Sequence, residues 1–448
     1  MPDTELEYIT KAKLSLITKK AAADTKFKFT SLVHLLNEEH YLYECFGELE
    51  RGKAAGVDAR TKESYTGAEI RQAISDIVQK LKTRKYRPQP VRRVFIPKGN
   101  GKMRPLSIPT VMDKVIQLAA VKILEPIFEP LFLNVSYGYR SRRNAHEALK
   151  AANDMLMGQK VNWVIDADIK AFFDNVRHDW MMECLKQRIV DSNFLTLIRR
   201  MLKAGVMTEG IYSETNQGTP QGGIISPILA NTYLHYVLDL WFEKKLKPML
   251  RGYAGMVRYV DDFVIGCQYP EDAERIVKEM KARLTKFSLT LAEGKTRVIA
   301  FGRFARERGA ERGKGKPETF TFLGFTHYCS TTCKGSFVVR HKTAQQKYHS
   351  SLKRLKGWMR SMKNMRPLPE LWDTLALKLK GHYQYYGISG NLRRLRSFEC
   401  EAERLAFKWL NRRSQKRSWN WEQFRRYLER YPLPQPKICY ALYPTYSW

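Results

Sequence analysis

V-R-Y-V-D-D-F-V-I-G (257–266) decides the fold class. Two short apolar runs, VRYV and FVIG, meet at Asp261 and Asp262, the pattern of a β-hairpin that carries carboxylates at its turn. Adjacent carboxylates repel, and keeping both ionised in a partly dry site is unfavourable unless a cation joins them. Mg²⁺ suits that place, being hard, oxygen-seeking and commonly held by one or two carboxylates with substrate phosphates. Upstream, W-V-I-D-A-D (163–168) reads as a strand ending in Asp168, able to bring a third carboxylate to the same point from a neighbouring position. Three carboxylates from two strands can clamp two Mg²⁺ ions about 3.5–4 Å apart, one activating a hydroxyl and one neutralising a leaving pyrophosphate. That is nucleotidyl-transfer chemistry, with Mn²⁺ as the expected substitute ion.

The flanking sequence fits such a centre. R-P-Q-P-V-R-R-V-F-I-P-K-G-N-G-K-M-R-P-L-S-I-P (87–109) reads as a hairpin with a Gly-Asn-Gly turn, presenting Lys98, Lys102 and Arg104. Lys98 and Arg104 would form the cationic side of a triphosphate pocket, the guanidinium as a fork and the ammonium as a point charge. Thr110 and Asp113 resemble a capping box before a helix with Ile116, Ala120, Ile123 and Ile127 on one face. Q-G-T-P-Q-G-G (217–223) is a loop running into a helix whose Tyr233, Leu234, Val237, Leu238 and Trp241 share a face. R-G-K-A-A-G-V-D-A-R (51–60) reads as a loop able to approach another backbone closely.

The chain has 448 residues, enough for about three structural units. Lys and Arg number 78 against 45 Asp and Glu, a net charge of +33 that points to a polyanionic partner and excludes cationic ones. With 44% hydrophobic and 12% aromatic residues it is a folded protein, not a disordered basic tail. No run approaches the roughly 20 apolar residues of a membrane helix, and the first residues lack a secretory apolar core. Seven scattered cysteines suit reduced thiols, and Cys329 and Cys333 lack a second nearby pair, so no zinc site is expected. The expected location is cytoplasmic, associated with RNA or a bacterial-type nucleoid. The charged stretch 303–316 reads as an exposed loop. Residues 340–430 hold 23 Lys or Arg against 7 Asp or Glu, interleaved with Trp358, Trp372, Trp409, Trp419 and Trp421. This is a basic helical unit.

D-I-K-A-F-F-D (168–174), T-P-Q-G-G-I-I-S-P (219–227), Y-V-D-D (259–262), L-A-E-G-K-T (291–296) and F-L-G-F (322–325) stand in the order of the reverse transcriptase blocks, after I-P-K (96–98) and M-R-P-L (103–106). Over about 87–325 the chain resembles that family, and within it the group II intron-encoded proteins, whose extra N-terminal block is similar to GKAAGVDAR. The segment after FLGF, especially G-H-Y-Q-Y-Y-G-I-S-G-N (381–391), is similar to their thumb or maturase (X) region. The resemblance implies an α+β, right-hand polymerase with helical and hairpin fingers, an antiparallel-sheet palm and an α-helical basic thumb. The expected units are an N-terminal extension (1–50), fingers and palm (51–330) and thumb/maturase domain with tail (331–448). It implies an RNA-directed DNA polymerase working with an RNA template, a DNA primer and dNTPs, and a structured partner such as a group II intron.

Carried over by position, the resemblance makes Asp168, Asp261 and Asp262 the metal-site carboxylates and Phe173 the ring that packs on the nucleotide sugar. Gln221 would border the nucleotide, Lys98 and Arg104 its phosphates, and Lys295 the pyrophosphate side. Phe322, Leu323, Gly324 and Phe325 would grip the primer end. Lys347, Lys353, Arg354 and Lys356 could track an A-form duplex. Arg393, Arg394 and Arg396, or Arg412, Arg413, Lys416 and Arg417, could instead dock a folded RNA. Two features depart from many relatives: Val260 replaces Ala in the catalytic turn, and the cysteine-paired DNA-binding and endonuclease region is missing, so no endonuclease is expected. Two alternatives stand beside the intron-linked polymerase. One is a host-adopted enzyme of defence or repair with a dedicated noncoding RNA; the other is a non-catalytic RNA-binding splicing cofactor.

Overall fold

The computed structural model describes residues 3–97, 103–307, 316–365, 367–413 and 419–443. Lys98, Lys102, the Gly-Asn-Gly turn, Lys416, Arg417 and most of the charged 303–316 stretch lie outside them. The antiparallel pair β1 (Val91–Pro97) and β2 (Met103–Ile108) flanks that turn. β1 also pairs in parallel with β4 (Val206–Thr208), which is joined by β5 (Ile211–Ser213). β3 (Trp163–Asp168) lies inside a second sheet, between β7 (Asp262–Cys267) and β8 (Arg297–Ala300), with β6 (Ala254–Tyr259) on the outer side of β7.

Side chains alternate across a strand, so this second sheet has two dry faces. Ile165, Ala167, Phe263 and Ile265 join the larger core, with Ile116, Ala120, Ile123 and Ile127 of the Val111–Phe128 helix fully buried in it. Val164, Val257, Val264 and Ile299 face a second core that contains Phe322 and Phe325. Helical periodicity over 226–241 holds in outline, yet the Ser226–Leu234 helix runs on through two wider π turns, His235–Asp239 and Phe242–Leu246. Trp241 is consequently only half-buried.

The first fifty residues carry little chemical pattern, but residues between Ile17 and Phe46 are woven into the larger core. Phe29, Leu32, Leu35, Leu36, Tyr41 and Leu42 are buried there. The Arg188 guanidinium donates to the carbonyls of Ala21, Asp24, Thr25 and Phe27, closing the end of the Asp3–Ala23 helix. The 51–60 loop makes the close approach its glycines suggest: a Cβ on Gly56 would lie 2.7 Å from the Thr110 backbone.

β9 (Phe320–Phe322), β10 (Phe325–Thr331) and β11 (Phe337–Thr343) form a third sheet, whose hairpin spans position 330. Beyond it, the helices Gln345–Met362, Leu368–Tyr386, Leu392–Leu410 and Trp421–Arg430 build a third core around Leu371, Leu375, Leu379, Leu395 and Phe424. All seven cysteines are free thiols. Among the described residues no helix is long and apolar enough to cross a membrane.

His235 and His341 are buried, and desolvation pushes each imidazole down to about 4. An unfolded histidine takes its proton near pH ~6.5, so between the two values the unfolded chain binds more protons. Stability present above about pH 6.5 is lost as pH falls toward about 4, by up to ~1.4 kcal/mol per pH unit for each histidine. Urea unfolding should therefore have a lower midpoint near pH ~5 than near pH ~7, with the difference reduced in His341→Phe.

Candidate active site

Antiparallel pairing of β3 and β7 sets Asp168 directly opposite Asp262, and Asp166 opposite Val264. Alternation places Asp166, Asp168 and Asp262 on the face that carries the second core. Tyr259 pairs with Asp262, so Val260 and Asp261 form a two-residue hairpin turn. Such turns need a positive φ, normally supplied by Gly, Asn or Asp. Here Val260 adopts it, with φ +60. A β-branched residue in that region costs about 1–3 kcal/mol and persists only where its surroundings hold it. The Ile169 N–H donates to the Asp261 carbonyl at 3.3 Å, fastening the turn to the end of β3.

The L-A-E-G-K-T segment hangs on the same strand end. Ala292 N–H donates to the Asp168 carbonyl at 2.8 Å, and Lys295 and Thr296 N–H donate back to Ala292. This short turn delivers the Lys295 ammonium to the Asp168 carboxylate, with which it forms an ion pair. Burial, followed by repulsion from Asp166, Asp168 and Asp261, raises Asp262 to about 7. Burial and Asp168 raise Asp261, opposed by Lys295 and Arg104. The carboxylates thus share one electrostatic site. Among the described residues no three His, Cys, Asp or Glu side chains stand as a ready-made metal cage. Lys295 occupies the cationic position beside Asp168.

Phe173 and Gln221 are drawn together through backbone bonds. Thr219 N–H donates to the Phe173 carbonyl and Gly218 N–H to that of Val176, both at 2.7 Å. Gly218 has φ +86, and a Cβ there would lie 2.9 Å from the carbonyl oxygens of Phe173 and Asp174. Ser107 N–H donates to the Gln221 carbonyl at 2.6 Å, tying the loop to β2, where Arg104 is exposed. The Phe173 ring is half-buried against Phe172, with ring centres 5.3 Å apart.

In the F-L-G-F turn, Phe322 and Phe325 pair across the strands and are fully buried. Leu323 and Gly324, with φ +50 and +81, are half-buried at the turn. Tyr385 donates its hydroxyl hydrogen bond to the Leu323 carbonyl at 3.0 Å, linking this turn to the helical unit. Lys347, Lys353, Arg354, Lys356, Arg393 and Arg412 are exposed, whereas Arg394 is half-buried, its guanidinium 4.0 Å from the Tyr348 ring centre. Arg413 is half-buried at the end of the Leu392–Leu410 helix. A cavity of about 500 Å³ lies between the ends of two helices, lined by Lys356, Arg360, Lys363, Lys408, Trp409 and Arg412. Its lining is cationic and aromatic, with no acidic group, and the buried Trp409 indole N–H has no partner among the described residues.

Residues 96–327 match the reverse transcriptase (RNA-dependent DNA polymerase) family. The chain belongs to that family. It is 30% identical to the group II intron-encoded protein LtrA of Lactococcus lactis subsp. cremoris, covering 87% of this chain and 76% of the relative. It is 33% identical to protein YkfC of Escherichia coli K12 over 59% of this chain and 74% of that one. With a 91 kDa protein in the cob intron of Schizosaccharomyces pombe it shares 39% identity over 47% of this chain and 25% of the other. As a reverse transcriptase it is an RNA-directed DNA polymerase and handles nucleic acid. Reverse transcriptases use divalent metal ions, and mutually repelling, oxygen-only donors with raised affinities for protons fit a hard cation.

Two site residues escape a motif reading. Asp166 lies on the same face as Asp168 and pairs with Arg297, and its only signal is the D-A-D alternation. Arg258 precedes the Y-V-D-D turn and is wholly buried, where sequence polarity predicts exposure. The contact at Gly218 yields a test of the reverse transcriptase's loop packing. Gly218→Ala should lower kcat/KM for dNTP about tenfold or more by shifting Phe173 and Gln221, checked by steady-state primer extension.

Proposed function

We propose that Asp168, Asp261 and Asp262 are the catalytic carboxylates of this reverse transcriptase and hold two Mg²⁺ ions during dNTP addition to a primer 3′-hydroxyl. The observation that carries this reading is the register of Asp168 against Asp262 beside the Asp261 turn. When bound, the metal supplies acidity to the primer hydroxyl and neutralises charge on the departing pyrophosphate. Lys295, paired with Asp168, would serve the pyrophosphate side of the site, where its ammonium would neutralise departing phosphate charge. Arg104, whose charge acts on Asp261, binds triphosphate oxygens. Phe173 lies under the nucleotide sugar, where its ring leaves no room for a 2′-hydroxyl, and Gln221 borders the base pair being formed.

The layout we infer is a right hand: fingers from β1, β2 and the helices around them, a palm of β3 and β6–β8, and a helical thumb after Thr343. Residues 29–42 share one core with the Val111–Phe128 helix and one face of the palm strands. The Leu323–Gly324 turn supports the primer end through its backbone, since both phenylalanines are engaged in the core. Asp261→Ala should abolish Mg²⁺-dependent extension of a DNA primer on RNA, and undiminished activity would remove the site assignment. Phe173→Ala should admit rNTPs about tenfold or more above wild type, measured as the ratio of kcat/KM for dNTP and rNTP.

A maturase role with intron RNA is favoured by the group II intron-encoded relative. The basic cavity fits it: Lys356, Arg360 and Lys363 recur at helical spacing opposite Lys408 and Arg412, suited to backbone phosphate. Replacing Lys356 and Arg360 with Gln should weaken RNA binding and flatten the dependence of log K on log salt by about 1–2 in slope, read by filter binding across a salt series.

A further inference from the structure

Arg258 is fully buried two residues before Val260, the strained position of the Y-V-D-D turn. All three guanidinium nitrogens are engaged. Nε and Nη2 fork onto the two Asp239 oxygens, with Nε at 2.7 Å, and Nη2 also donates to Ser136 Oγ at 2.8 Å. Nη1 donates to Asn231 Oδ1 at 3.3 Å and to the Val260 carbonyl at 3.0 Å. The backbone of Arg258 pairs with Val135 and Tyr137, and Asn231 reaches the Gly138 carbonyl at 2.7 Å. Gly138 in turn packs against the turn so closely that a Cβ would lie 2.5 Å from Val260 Cγ2. Asp239 itself ends a π-helical stretch, an irregularity that aims its carboxylate at the strand.

We propose that Arg258 is a positioning residue for DNA synthesis, clamping the Val260 carbonyl so that the left-handed turn holds Asp261 and Asp262 in their working geometry. A buried ion pair is weak evidence for stability, because apolar replacement of both partners is often neutral. What an apolar pair cannot reproduce is the donor to Val260. The fork matters as well, since a lysine in this place has one point charge and cannot hold Asp239, Ser136 and Val260 together. The inference rests on the assignment of the carboxylates to catalysis, and Asp261→Ala measured alongside separates the two: retained activity there overturns the site and the clamp's role with it, whereas activity lost there but kept in the Arg258 variants overturns the clamp alone.

The test compares Arg258→Met/Asp239→Leu with Arg258→Lys in the full chain. The double variant should melt close to wild type and bind template–primer within about twofold of it. Its kcat should fall about ten- to a hundredfold with little change in the KM for dNTP, and half-saturating Mg²⁺ should rise. Adding Val260→Gly should restore much of kcat, because glycine adopts the positive φ without a clamp. If the double variant fails to fold, Arg258→Lys carries the same expectations, since it keeps a charge beside Asp239. A folded variant with wild-type kcat and Mg²⁺ dependence overturns the proposal, as does a kcat loss that Val260→Gly leaves unchanged.

Discussion

Like charge held close is the constraint from which the rest of this molecule follows. The pairing of β3 with β7 puts Asp168 against Asp262, and the hairpin turn sets Asp261 beside them. Burial should disperse such a group or neutralise it, and the raised proton affinity of Asp262 records that pressure. Three things resist dispersal: the antiparallel register, the Ile169 bond to the turn, and the Lys295 ammonium delivered by a loop that is itself hydrogen-bonded to Asp168. A protein that stores repulsion in this way gains by binding a cation, which is why the arrangement suits a metal-dependent polymerase better than a structural ion-pair network.

The same logic explains why the sheet is dry on both faces. An exposed sheet would let water screen the carboxylates and lower the incentive to bind metal. One core buries the face bearing Ile165 and Ile265; the other, built around Phe322 and Phe325, closes the face that carries the acids. The F-L-G-F turn therefore has two physical tasks. Its aromatic rings complete the core beside the carboxylates, while its half-buried Leu323–Gly324 backbone, at positive φ, meets Tyr385 of the helical unit.

What the sequence made legible was chemistry with a local signature. Y-V-D-D between apolar runs, W-V-I-D-A-D and the Gly/Pro loop each carry their structure in a few adjacent residues, and the close approach at Gly56 was readable from small residues alone. The part played by residues 29–42 was not legible, because their core partners lie in segments as distant as Ile116 and Ile189 and no short-range pattern announces them. The π turns after Leu234 were hidden for a related reason: the apolar spacing of 233–238 matches an ordinary helix, and the extra width serves Asp239, whose partner is nineteen residues away. Arg258 illustrates the limit well. Polarity places it at the surface, and only a set of four partners, Ser136, Asn231, Asp239 and Val260, overrides that preference.

Val260 joins these threads. In a free chain the turn would prefer glycine or asparagine, and a valine there biases the hairpin toward other conformations. The folded protein keeps valine by surrounding it: Gly138 against its side chain, Arg258 on its carbonyl, and 5% exposure of the residue as a whole. A branched side chain that fills its space resists rocking of the turn, whereas alanine would leave room beside Gly138. The departure from alanine therefore has a mechanical consequence. It exchanges a freely formed turn for one whose geometry is dictated by the buried network behind it, so the position of the carboxylates depends on packing several residues away from any substrate.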